Sequence, residues 1–107
     1  MEDERGLSAE QLGTSLGERA TLVQFASAFC APCRATRVVL REVAAKVPGV
    51  RAVEVDAESR LELVRALRID RTPTVLVLDA VGRIVFRAVG VPRRADVLSA
   101  LALAVGS

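Results

Sequence analysis

The sequence predicts an α/β protein, a central mixed sheet of four to five strands flanked by helices, and three observations carry that expectation. Short runs rich in Val and Leu alternate with segments whose apolar residues recur every three or four positions. The first two runs are separated by enough chain for a crossover helix, whereas the last two are joined by a turn of hairpin length. With 107 residues, 51% hydrophobic and 26% charged, the chain has the apolar material for one core and is too short for two. Residues 1–6 read as a polar N-terminal tail and residues 7–107 as a single domain.

Ser8, with Gln11 three positions on, has the pattern of a reciprocal helix cap, and Leu12 and Leu16 share a face of a first helix over about residues 7–17. Gly13 weakens this helix and Gly17 is its expected end. Residues 21–26, Thr-Leu-Val-Gln-Phe-Ala, have the length and composition of a central strand buried on both faces. Beyond the cysteines, Val39, Leu40, Val43, Ala44 and Val47 form a helical stripe opposite Arg34, Arg37, Arg41 and Glu42. Pro48-Gly49 stops that helix, and residues 50–56 alternate apolar and polar side chains as a second strand. The intervening helix makes the two strands parallel, joined by a right-handed crossover. Leu61, Val64 and Leu67 place a helix at about 58–68, which Thr72-Pro73 breaks. Thr74 to Asp79 and Arg83 to Val89 are strands of an antiparallel hairpin turned by Ala80-Val81-Gly82 and closed by Gly90. Pro92 precedes a last helix, about 94–105, with Val97, Leu98, Leu101 and Val105 as its buried stripe.

Composition excludes whole classes of function. Fifteen basic against thirteen acidic residues give a net charge of +2, scattered along the chain, and the aromatic residues are limited to Phe25, Phe29 and Phe86, so no nucleic-acid partner is expected. No apolar run approaches the roughly 18 residues of a membrane span. The acidic start, MEDERG, does not suit a secretory signal. The chain has no His, which removes Ser-His and Cys-His mechanisms together with the commonest metal ligand.

What stands out is the pair Cys30 and Cys33, the chain's only cysteines, in Phe29-Cys30-Ala31-Pro32-Cys33-Arg34. As half of a zinc site the pair lacks two further ligands, so no metal is expected in a monomer, although four thiolates shared in a dimer, or copper(I), fit the same spacing. Dithiol chemistry fits the location better, because the pair sits where a strand ends and a helix begins. At the helix N-terminus, free N–H groups and the aligned peptide dipoles favour a thiolate at Cys30, while Cys33 lies one turn inward. Cys30 is the expected nucleophile and Cys33 the resolving thiol, with Pro32 in the first turn, where its missing N–H costs little.

Leu22-Val23-Gln24-Phe25, Cys30-Ala31-Pro32-Cys33, Arg71-Thr72-Pro73-Thr74 and Gly90 together resemble the landmarks of the thioredoxin family, in the same order, over about residues 20–105. The resemblance implies a thioredoxin fold and a cis Thr72-Pro73 bond beside the cysteines, with the Thr72 backbone pairing to an extended substrate strand. It implies site-shaping roles for Phe29, Ala31, Pro32, Thr72, Pro73 and Gly90. The chain departs from the family pattern in several places. Ala31 replaces a glycine, Ala26 and Phe29 replace tryptophans, and Val38 replaces the proline that kinks the active-site helix. Gln24 stands where the family has a buried aspartate and Ala52 where it has a lysine, leaving Glu54 as a candidate proton-transfer helper for Cys33.

The function so implied is thiol-disulfide oxidoreductase, reducing protein disulfides through the Cys30/Cys33 dithiol with no bound cofactor beyond that redox-active disulfide. Its partners would be disulfide-containing proteins and either an NADPH-dependent flavoprotein reductase or a membrane electron relay. The alternatives are a disulfide oxidase or isomerase, and a non-enzymatic binding module or copper(I) carrier on the same fold. A monomer in the cytoplasm is expected, or outside it if the chain is cut from an anchored protein.

Overall fold

The computed structural model describes residues 6–106, so residues 1–5 of the expected polar tail lie outside the described residues. In chain order the elements are α1 (Ala9–Leu12), β1 (Ala20–Ala26), α2 (Ala31–Lys46), β2 (Val50–Asp56), α3 (Leu61–Ala66), β3 (Thr74–Asp79), β4 (Ile84–Val89) and α4 (Arg94–Gly106). The strands form one mixed sheet in the order β2-β1-β3-β4. β2 runs parallel to β1, while β3 is antiparallel to both β1 and β4. A single antiparallel bridge, Gly6 to Arg83, extends the sheet beyond its four strands.

The interior strands β1 and β3 are buried along their whole length. The two-residue period of β1 sorts its side chains into two cores. Val23 and Phe25 join Leu12, Leu63, Leu67, Leu76 and Leu78 on the side of α1 and α3. Ala20 and Leu22 join Leu40, Val43, Val75, Val97 and Leu101 on the side of α2 and α4. Gln24 continues the second set, which directs a buried amide toward the helix that carries the cysteines.

Three sequence expectations are corrected. The Ser8/Gln11 capping box is present, but the helix ends at Gly13 rather than Gly17, because Gly13 takes φ 79° and returns its N–H to the carbonyls of Ala9 and Glu10. Gly17 serves instead as a close approach: its N–H donates to Thr21 Oγ1 at 2.9 Å, and a Cβ there would strike the Ala20 carbonyl oxygen. The third helix is shorter than expected, because Asp56 holds residues 56–59 in a turn by accepting from the Glu58 N–H at 3.0 Å and the Ser59 hydroxyl at 2.6 Å. Finally, Leu61 and Leu98, expected on buried stripes, are 53% and 48% exposed, while Ala100 and Ala104 take the core positions of α4. α2 runs unbroken through Val38. No helix among the described residues is long and apolar enough to cross a membrane.

Candidate functional site

β1 delivers the chain to the start of α2, where Cys30 is the N-cap residue. Its backbone carbonyl accepts from the N–H groups of Cys33 and Arg34 at 3.1 and 3.2 Å, and its Sγ accepts from the Cys33 N–H at 3.2 Å. One N–H of the first helical turn is thus turned toward the outer sulfur, which with the helix dipole favours negative charge there. Cys30 and Cys33 form a disulfide with Cα atoms 5.2 Å apart. The two sulfurs differ in access: Cys30 is partly exposed and Cys33 is only 1% exposed. An incoming thiol or thiolate therefore meets Cys30. Phe29 has φ 55° and a fully exposed ring beside it, and Ala31 and Pro32 are exposed on the first turn.

The loop before β3 completes the site. The Thr72-Pro73 peptide is cis, and the Thr72 carbonyl oxygen lies 4.0 Å from Cys30 Sγ. Neither the N–H nor the carbonyl of Thr72 has a main-chain partner among the described residues. Its hydroxyl shares a 2.7 Å hydrogen bond with Ser27, which ties this loop to the loop carrying the cysteines. Pro73 is buried, its carbonyl accepts from the Gly90 N–H at 2.9 Å, and Gly90 takes φ 88°. The Cβ position of Gly90 is open space, so it is the backbone conformation that calls for glycine there. Sequence reasoning missed Ser27, a polar residue at a strand end whose partner is 45 positions away.

Beneath the cysteines, Gln24 is 2% exposed and its Nε2 donates to the Cys33 carbonyl at 2.7 Å. A neutral amide thus occupies the place under the inner cysteine. Glu54 lies opposite Gln24 in the β1/β2 register, and both line a cavity of about 40 Å³ together with Arg37 and Arg41. Both Glu54 oxygens are engaged by Arg37, at 2.7 and 2.8 Å. This bidentate hydrogen bond and the guanidinium charge hold the Glu54 carboxyl below its ordinary range, which lowers its affinity for a proton. Ala52 faces Leu22 in the register and carries no charge.

A cavity of about 570 Å³ lies between Gln11 and the start of α3 and includes neither cysteine. Cys30 and its neighbours Phe29, Ala31 and Pro32 sit instead at an open surface, which suits a protein segment better than an enclosed small molecule. Among the described residues no cluster of three or more His, Cys, Asp or Glu is placed to hold a metal ion.

Comparison with known proteins agrees with this geometry. The thioredoxin family model matches residues 8–102. Thioredoxin from Chlamydia trachomatis is 31% identical over 84 residues, covering 78% of this chain and 81% of that protein. Thioredoxin H2-1 from rice, Oryza sativa, is 30% identical over 67 residues, 60% of this chain but 49% of that protein, so the chain spans about half the length of this plant relative. Among solved structures, chloroplastic thioredoxin z superposes with a TM-score of 0.76 at 22% identity, over 94% of this chain and 93% of its own, which is likeness of fold. With the fold, the cysteine pair at the head of α2 and a family match that spans nearly the whole chain all in agreement, this chain belongs to the thioredoxin family.

Proposed function

We propose that the chain is a thiol-disulfide oxidoreductase that reduces disulfides in proteins, working as a monomer whose residues 7–107 form one domain. The observation that carries this reading is the access difference within the pair: an outer sulfur at the helix N-terminus, beside an unpaired backbone edge at Thr72, and an inner sulfur one turn behind it. In the reduced protein, the Cys30 thiolate attacks one sulfur of a substrate disulfide. The substrate S–S bond breaks, a mixed disulfide forms at Cys30, and the departing substrate thiolate takes a proton from water. Cys33, once deprotonated, attacks Cys30 Sγ, releases the second substrate sulfur as a thiol after protonation, and leaves the Cys30–Cys33 disulfide. Two electrons pass from the dithiol to the substrate.

Thr72 offers its N–H and carbonyl to an extended substrate strand, and Phe29, Ala31, Pro32, Pro73 and Gly90 shape the surface around it. The pair returns to the dithiol state through a reductase of the NADPH-dependent flavoprotein class or through a membrane electron relay. A reductant of this kind suits the cytoplasm, where thiols are kept reduced. Disulfide reduction of insulin in metal-free buffer tests the reading. Wild type is expected to turn over, Cys30→Ser to be inactive, and Cys33→Ser to accumulate mixed disulfides. Full turnover by Cys33→Ser would overturn the mechanism. A reduction potential well above that of glutathione would reassign the chain as an oxidase or isomerase, and metal-dependent activity as a copper(I) carrier.

A further inference from the structure

Exposed arginines are spread over this chain, and only some of them are matched by a carboxylate. Arg37, two turns into α2, is paired with Glu54, and Arg94 at the start of α4 is paired with Glu42. Arg34 and Arg71 are both exposed and make no ion pair among the described residues. Arg34 lies in the first turn of α2, its N–H bonded to the Cys30 carbonyl, and that turn contains no acidic residue. A cation there opposes the helix dipole, whose positive end favours a carboxylate. Arg71 immediately precedes Thr72, whose carbonyl oxygen is 4.0 Å from Cys30 Sγ. The backbones of two arginines without a carboxylate partner among the described residues thus stand on either side of Cys30, one on its own helix and one next to the residue that faces its sulfur. Asp70, exposed beside Arg71, is the one acidic residue of that loop.

We infer that Arg34 and Arg71 select disulfides whose cysteines are flanked by aspartate or glutamate, so that the favoured substrate is an extended acidic segment. This rests on the dithiol reading above and names its substrate class. A guanidinium binds a carboxylate through two parallel N–H donors, which adds orientation to attraction. Screening confines the effect to about 8 Å at physiological salt. An extended chain advances roughly 3.3 Å per residue, so only side chains within about two positions of the substrate cysteine are read. The effect of the arginines on the Cys30 thiolate is common to every substrate and cancels in a comparison of two.

The test uses two synthetic peptides of equal length containing the same internal cystine, one with Glu and the other with Lys on both sides of each cysteine. The reduced 107-residue chain is mixed with each, and the single-turnover rate is followed at low and high salt. The acidic peptide is expected to react about tenfold faster at low ionic strength, narrowing to about twofold when the Debye length is shortened. The double variant Arg34→Glu/Arg71→Glu should invert the preference, an outcome that a merely unfolded protein cannot produce. Arg19→Glu/Arg51→Glu, which changes net charge equally at the other end of β1 and β2, should keep it. Equal rates for the two peptides, a preference that survives the first double variant, or one lost in the second, each overturns the inference. If neither peptide is reduced, their dithiol forms are offered to the oxidised protein. Faster oxidation of the acidic peptide then overturns the reductant reading and retains the charge selection, and equal oxidation overturns both.

Discussion

Where β3 turns into β4, the chain closes its polar groups on itself: Asp79 Oδ1 accepts from the N–H groups of Val81 and Arg83 at 3.1 and 2.9 Å, the Gly82 N–H reaches the Asp79 carbonyl, and the Leu7 N–H reaches the Gly82 carbonyl. At the other end of the same sheet, Thr72 keeps its N–H and carbonyl without main-chain partners among the described residues, and Phe29 stands in solvent. A polar group exposed to water loses little by lacking a protein partner and can exchange water for one later, whereas the same group buried would cost about 1–3 kcal/mol. The hairpin end is finished by its own residues. The cysteine end leaves groups that another molecule could complete.

The contrast is broken most severely at the sulfurs: Cys30→Ser should eliminate disulfide reduction while leaving thermal unfolding close to that of the reduced wild type, read by insulin turbidity and circular dichroism. Asp79→Ala should do the reverse. It leaves two hairpin N–H groups without their acceptor and should cost about 1–2 kcal/mol of stability in denaturant titration, with turnover per folded molecule unchanged. A loss of activity beyond the unfolded fraction would show that the two ends are coupled.

The Ser27–Thr72 hydrogen bond sharpens the comparison, since it is a closed contact within the open end. Ser27→Ala should lower kcat/KM for peptide disulfides by roughly the factor of about five that a hydrogen bond of about 1 kcal/mol represents. Combining it with Thr72→Val should add little, because both changes remove the same bond. Gln24→Asp places a carboxylate beneath Cys33 and should speed resolution of the mixed disulfide severalfold near neutral pH, at some loss of stability from burying a charge. An unchanged resolution rate would assign the proton to Glu54.

The smallest effect is expected at Glu54 itself. Arg37 holds its carboxyl below the ordinary range in the folded protein, so the pair's stabilisation is complete above the ordinary glutamate value and is lost as pH falls through the lowered one. Glu54→Gln should therefore lower Tm slightly at pH 7, and the gap from wild type should close in strong acid. Because the pair is partly exposed and screened by solvent, the shift should be small and sensitive to salt.

Much of this organisation was legible in the sequence, and the parts that were not have physical reasons. The capping box at Ser8 and Gln11 and the stop at Pro48-Gly49 are local signals, written within a few residues, and each lies where the pattern places it. The positions of Leu61 and Leu98 were not legible, because helical spacing defines a stripe but not whether a neighbour covers it. At the site, the cysteine pair and Thr72-Pro73 announce themselves by residue type and order. Gln24 is legible only as the residue in the family aspartate's place, and Ser27 not at all: one bonds to the Cys33 carbonyl and the other to Thr72, and those contacts exist only once the sheet has brought distant segments together. Likewise Glu54 could be named as a carboxylate near the cysteines, but its commitment to Arg37 depends on how β2 packs beside α2.

The backbone of Phe29, at φ 55°, lies in a region costly for a bulky side chain, and it presents a bare aromatic ring next to Cys30. That ring is apolar surface left in water, which a segment lying over it would remove. Docking of a substrate segment over it should then carry a negative change in heat capacity, the calorimetric mark of apolar surface leaving water, and Phe29→Ser should diminish that mark more than it diminishes the enthalpy measured at any one temperature.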